Sequence, residues 1–110
     1  MASVNTRSLM DSEVLAAGVT TSAKTSLELY DVNLIGFCSV ASVGVSVDCV
    51  IQHSADGLTW KTLATVPQLT ADGYNIIDIS AFALPNVRVS VTVVGGTPTV
   101  TAKIYADRHK

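Results

Sequence analysis

The 110-residue sequence has few charged residues, few aromatic residues and few of the residues that favour helices. Only 15% of its residues are charged and its net charge is −2, so it lacks the basic surface that neutralises phosphates. Glu, Gln, Lys and Arg, the long straight side chains that favour helices, together number 11. No apolar run approaches the about 20 residues that span a bilayer. We therefore expect neither a nucleic-acid partner nor a membrane partner.

Residues branched at Cβ are abundant instead. The chain contains 16 Val, 12 Thr and 6 Ile, whose restricted χ1 angles suit the pleated surface of a strand. Apolar residues make up 48% of the sequence, which is enough for a folded core, and the length corresponds to one domain. The composition predicts a single all-β domain.

Alternation of apolar and polar residues predicts where the strands lie. The strongest pattern covers residues 87–93, where valine occupies every second position. A similar pattern follows Gly44, and its predicted inward residues are Val45, Val47, Cys49 and Ile51. About eight short strands separated by turns at intervals of roughly 8–12 residues predict a two-layer antiparallel β-sandwich. Ig-like and jelly-roll strand orders both remain open at this point.

Two connections are predicted to be hairpins, one through Val43-Gly44 and one through residues 95–98. The first hairpin would place Cys38 directly opposite Cys49 on the neighbouring strand. A cross-strand disulfide between these residues and two reduced core cysteines are the alternatives, and the absence of any mark of export favours reduced thiols.

The first 11 residues show no clear hydrophobic period, whereas strand-like patterns begin at Ser12. We therefore divide the chain into an N-terminal arm, residues 1–11, and a β-sandwich, residues 12–110. The arm is interpreted either as a frayed terminus or as a segment that docks on a neighbouring subunit. Its candidate partner-binding residues are Val4, Arg7, Leu9 and Met10.

Residues that could perform catalysis or hold a metal are sparse. His53 and His109 are the two histidines, and neither lies at metal-ligand spacing from other ligating residues. Four aspartates could form a calcium site together with turn carbonyls: Asp48, Asp56, Asp72 and Asp78. The sequence lacks the oxygen-rich loop pattern of such sites, and turn formation explains Asp56 and Asp72, which each precede a glycine. A hydrolase would need His53 beside a serine or carboxylate in a cleft. We expect no enzyme activity and no cofactor.

Trp60 is the single tryptophan, and two interpretations of it are considered. A tryptophan in a sandwich is often a core residue. In the alternative, Trp60 together with Tyr74 and Tyr105 forms a platform on which a sugar stacks, as in a carbohydrate-binding module. An exposed Trp60 beside either tyrosine would favour sugar binding, and a buried one would favour assembly.

Three segments resemble small β-sandwich virion proteins of tailed bacteriophages. The strand that runs into Ser54-Ala55-Asp56-Gly57-Leu58-Thr59-Trp60 is similar to a hairpin of those proteins, although Ala55 stands where they commonly have asparagine before Asp-Gly. Residues 85–89 and the last strand, Val100 to Ala106, resemble their closing strands. The likeness extends over most of the chain from about Ser12.

The resemblance implies a non-enzymatic virion structural protein made in the host cytoplasm. A capsid decoration protein on the head lattice is the first expectation, and a tail or baseplate protein is the alternative. It also implies binding to capsid or other virion proteins and to further copies of itself as a homo-oligomer. The low charge of the chain agrees with such contacts, since surfaces with few charges are readily desolvated.

Overall fold

A computed structural model describes residues 3–27, 31–79 and 83–108, which form nine β-strands and no helix. The predicted all-β class is therefore confirmed. These described residues therefore contain no helix that is long and apolar enough to cross a membrane. The strands are β1 Ser3–Val14, β2 Gly18–Thr21, β3 Thr25–Ser26, β4 Asp31–Ala41, β5 Ser46–Ser54, β6 Lys61–Leu69, β7 Gly73–Ile79, β8 Asn86–Val94 and β9 Thr99–Arg108.

The strands form two antiparallel sheets that pack as a sandwich. The first sheet has the order β1-β9-β4-β7, and the second has the order β2-β8-β5-β6, with β3 also paired to β8. The pairs β1–β9, β2–β8, β4–β7 and β5–β6 are those of one long hairpin wound into two layers. This is the strand order of a jelly roll, so the structure decides between the two predicted sandwich orders.

The core lies between the sheets and is built mainly from alternating aliphatic residues. Every second residue of β8 and of β9 is buried, and the residues between them face outward. Among the alternating positions predicted after Gly44, the last three are buried, whereas Val45 is 60% exposed because it precedes β5 in the connecting loop. The buried positions of these strands are Val47, Cys49, Ile51, Val87, Val89, Val91, Val93, Val100, Ala102, Ile104 and Ala106.

Both predicted hairpins are wrong. β4 belongs to the first sheet and β5 to the second, and β8 and β9 are likewise divided between the sheets. The loops through Val43-Gly44 and residues 95–98 therefore carry the chain from one layer to the other. Turn residues indicate that the chain reverses direction, but they do not indicate which sheet the next strand joins.

The predicted boundary between an arm and a sandwich at residue 11 does not match the structure. β1 begins at Ser3 and pairs with β9 along its length, so this segment belongs to the first sheet. Leu9 and Met10 are buried in the core. The register shifts on either side of Met10, and these irregularities interrupt the period of two that would have marked the strand.

Two further strand predictions differ from the structure. The small, polar residues 18–24 predict a connection, yet residues 18–21 form β2. Ser22 continues the pairing of β2 by exchanging hydrogen bonds with the Val89 backbone through its own amide and hydroxyl. Pro67 predicts the end of a strand, because proline has no N–H to donate, yet β6 continues to Leu69. β6 is the last strand of its sheet, and its pairing with β5 is irregular near this proline. An edge position of this kind tolerates a residue without an N–H donor.

Candidate functional site

An aromatic cluster lies on the outer face of the first sheet. Phe37 on β4 is flanked by Ile76 of β7 and Lys103 of β9 in the strand register. The rings of Phe37 and Tyr74 stack with centroids 5.4 Å apart at 28°, and the rings of Phe37 and Tyr105 meet edge to face at 5.9 Å and 87°. We call this surface the aromatic face; its residues are Ile35, Phe37, Tyr74, Ile76 and Tyr105.

Sheet geometry explains why these residues come together. The buried residues of β4 include Leu34, Cys38 and Val40, so the alternate positions 35 and 37 point outward. Tyr74 remains 64% exposed, which leaves much of its ring open to solvent.

A groove of about 460 Å³ adjoins the aromatic face. Asn33, Asp78 and Asp107 contribute its polar groups, and Tyr105 belongs to both the groove and the aromatic face. The Asn33 side-chain amide donates a hydrogen bond to an Asp107 carboxylate oxygen at 3.3 Å. Asn33 has a φ of 53° where the pairing of β4 with β9 is irregular, and asparagine tolerates this left-handed conformation better than most residues.

Sequence reasoning missed Phe37 and Asn33. Residues 34–41 are apolar at nearly every position, so the pattern did not determine which of them faces outward. Gly36 is buried, so the residues on either side of it, Ile35 and Phe37, face outward. The sequence pattern does not show this orientation, which is known only from the folded sheet.

Trp60 lies apart from the aromatic face, on the outer side of the second sheet. It is half-buried, and the Arg88 guanidinium lies over its ring, 4.4 Å from the centroid. Arg88 also donates a 2.7 Å hydrogen bond from Nε to the Gln52 side chain, which fixes the guanidinium in place. Trp60 is therefore neither a core residue nor part of a platform with Tyr74 and Tyr105, which the structure brings together through Phe37 instead.

Cys38 and Cys49 are buried with free thiols and face each other from opposite sheets. Their thiols share a side-chain hydrogen bond, and this bond together with burial raises the pKa of Cys49. A protonated buried thiol is a poor nucleophile. Cys38 and Cys49 are 0% and 1% exposed, so both have the character of core residues.

The remaining candidates for chemistry serve the fold or stand apart. His53 accepts a hydrogen bond at Nδ1 from the Leu84 amide at 3.1 Å, and His109 lies outside the described residues. In the described ranges, no three His, Cys, Asp or Glu residues are grouped so that they could hold a metal. The four aspartates of the possible calcium site are divided among the two outer faces and two different loops: Asp48, Asp56, Asp72 and Asp78.

Two of these aspartates hold turns. The Asp56 carboxylate accepts hydrogen bonds from the Thr59 and Leu58 amides and from the Ser54 hydroxyl, which lowers the pKa of Asp56 to about 2. The Asp72 carboxylate accepts a 2.9 Å bond from the Val43 amide, and hydrogen bonds from Val43 and Ser42 lower its pKa. Turn formation therefore explains both residues.

The candidate partner-binding residues near the N-terminus all belong to β1. Val4 pairs with Asp107 of β9 through the backbone, Arg7 is half-buried, and Leu9 and Met10 lie in the core. The structure thus brings them together as part of an edge strand. Their role in binding a partner stays a prediction.

One end of the sandwich carries a group of exposed valines. Val45 and Val94 adjoin the loop that connects β8 to β9, and Val19 lies diagonally across from Val94 in the register of β2 with β8. Val14 ends β1 beside Leu15, whose amide bonds the Pro98 carbonyl of the same loop. We call this group the aliphatic rim; its members Val14, Val19, Val45 and Val94 are between 48% and 68% exposed.

Comparison with known proteins identifies similar structures but no similar sequence. No protein-family model and no curated protein matches the sequence. The backbone superposes on the PBSX exported protein XepA with a TM-score of 0.63 at 12% identity, covering 100% of this chain and 38% of that one. It superposes on the SPBc2 prophage-derived protein YomS with a TM-score of 0.59 at 12% identity, covering 96% of both chains.

A viral protein is also similar in structure. VP2 from the infectious bursal disease virus subviral particle matches with a TM-score of 0.58 at 14% identity, over 98% of this chain and 33% of VP2. This chain thus spans about a third of VP2 and 38% of XepA, but nearly the whole of YomS. An exported protein, a prophage-derived protein and a viral particle protein thus share its fold.

Proposed function

We propose that the protein is a non-enzymatic virion structural protein, which decorates a capsid in many copies. The observation that carries this proposal is the jelly roll shared with YomS over 96% of both chains and with a third of VP2. Jelly rolls are a common building unit of viral capsids. Because a fold alone does not determine function, the surface of the chain has to supply the remaining support.

The aliphatic rim supports a role in assembly. Four exposed valines around one end of a sandwich form the kind of apolar surface that a protein partner covers. The occupant we propose is a capsid protein of the same particle. The four valine side chains carry no charge. Covering them removes apolar surface from water, and this favours association.

β1 offers a second contact. It is the terminal strand of the first sheet, so one side of its backbone is not paired within the two sheets. A strand from a neighbouring subunit could pair there, and this would give the predicted N-terminal contact a structural basis. In this form the proposed contact uses the backbone of β1, since Leu9 and Met10 are already buried.

Co-sedimentation with the parent particle tests the proposal. We expect the double variant Val19→Ser with Val45→Ser to lose at least about tenfold in affinity, because two apolar contacts are removed from the rim. Its thermal unfolding should change little, since both side chains are exposed. Leu58→Ser is the matched control, as Leu58 is 84% exposed at the opposite end of the sandwich.

The same measurement distinguishes the possible locations. Binding to isolated heads supports capsid decoration, whereas binding only to tails or baseplates supports the alternative virion role. Failure to bind any part of the particle would contradict both.

A further inference from the structure

We propose that the aromatic face and its adjoining groove bind a neutral oligosaccharide. This inference is independent of the assembly role, because the aliphatic rim lies at one end of the sandwich and the aromatic face lies on a broad side. The argument uses the exposed rings, the polar groups of the groove and the charges around them.

The rings provide a surface on which a sugar can stack. A pyranose has faces formed by C–H groups, and these pack against an aromatic ring. Tyr74 is 64% exposed, and its ring is supported from behind by the stacked ring of Phe37. Phe37 also meets the ring of Tyr105 edge to face, so Phe37 restrains both tyrosine rings before any ligand arrives. Such pre-arrangement reduces the entropy lost on binding.

The groove provides partners for hydroxyl groups. The carboxylates of Asp78 and Asp107 are acceptors, and the paired Asn33 amide and Asp107 carboxylate present a donor and an acceptor side by side. Hydrogen bonds to carboxylates are stronger than those between neutral groups. The volume of about 460 Å³ lies in the roughly 300–1,000 Å³ range of small-ligand sites.

The charges select among possible ligands. Two carboxylates in the groove disfavour an anionic ligand. Lys103, which flanks Phe37 in the register, disfavours a cationic ligand that extends along the face. A neutral, hydroxyl-rich chain satisfies both conditions on charge. Because Tyr105 belongs to the aromatic face and also lines the groove, one ligand can contact the rings and the groove together. Jelly rolls also occur in lectins, so the fold accommodates such a site.

Calorimetric titration of the isolated chain tests the proposal. The probes are hexasaccharides of glucose, N-acetylglucosamine and mannose, with an oligolysine peptide for comparison. We expect at least one hexasaccharide to bind and Tyr74→Ala to weaken it about tenfold or more, since one aromatic contact is worth about that factor. Asn33→Gly should weaken binding as well while keeping a residue that accepts positive φ.

Trp60→Phe is the matched control, because it changes an aromatic residue on the other sheet. It should leave the affinity unchanged, and thermal unfolding of each variant verifies that the fold is intact. The proposal is overturned if none of the three hexasaccharides binds at millimolar concentration, or if the peptide binds more tightly than they do. It is also overturned if Tyr74→Ala binds like the wild type, or if that variant dissociates an oligomer, which would identify the face as a contact between copies.

Discussion

At the scale of single residues, polar side chains in this protein mainly hold turns and edges. Asn75 on β7 donates to the Pro67 carbonyl of β6 at 3.0 Å and so joins the edges of the two sheets. Ser54, although buried, both donates to Asp56 and accepts from the Gly57 amide. Such groups tolerate burial because they are hydrogen-bonded.

Asp56 gives a prediction about pH. Its folded pKa of about 2 is below the about 3.9 of an unfolded aspartate, so its hydrogen bonds stabilise the fold above that unfolded value. This contribution is lost as the pH falls from about 4 to about 2. We therefore expect Asp56→Asn to lower the melting temperature at pH 7, with a difference that shrinks over this window.

Differential scanning calorimetry of both proteins between pH 2 and pH 7 measures this effect. If the two melting temperatures differ by the same amount at every pH, the charge of Asp56 does not contribute to the stability of the fold.

At the scale of the strand, β1 is an integral part of the first sheet. Leu9 is 7% exposed, so Leu9→Ala removes a core contact and should destabilise the protein by about 2–5 kcal/mol. Ser8→Ala, at the exposed neighbouring position, should change stability by less than about 0.5 kcal/mol. Urea denaturation measures both. Equal stabilities of the two variants would mean that this segment is a detached arm.

β4 carries a glycine, Gly36, against which a side chain of the opposite sheet packs directly. A Cβ at position 36 would lie 2.5 Å from Cδ1 of Ile51 in the opposite sheet and 3.1 Å from Cγ2 of Ile77. Because Ile51 is fully buried, its side chain has little room to move. Gly36→Ala should therefore destabilise the protein by about 1–3 kcal/mol.

Ile51→Val provides the matched test, since it removes the Cδ1 atom that would clash. Alone it should cost about 0.5–1.5 kcal/mol, but combined with Gly36→Ala the total should be smaller than the sum of the two. Strict additivity in urea denaturation would contradict the proposed contact between the sheets.

At the scale of the whole molecule, the sequence predicted the strands better than their arrangement. The alternating valines of residues 87–93 gave β8 correctly because one of its faces is buried and the other is not. The partners of β4 and β5 could not be predicted, since pairing depends on contacts between residues far apart in sequence. Tyr74 and Tyr105 share a face with Phe37, and this arrangement could not be predicted because it depends on the register of three strands. That these residues bind a ligand stays a prediction.

The winding of one long hairpin has a consequence for how the chain folds. Among the paired strands of the two sheets, only β5 and β6 follow each other directly in the chain. β1 instead has to find β9 at the far end of the chain, where Ser3 lies opposite Arg108. Closing such large loops costs entropy before any contact compensates for it, and domains of this kind fold in milliseconds to seconds. We expect the β5–β6 turn to nucleate folding and the closure of β1 onto β9 to come last, which leaves the β9 edge transiently open to other chains.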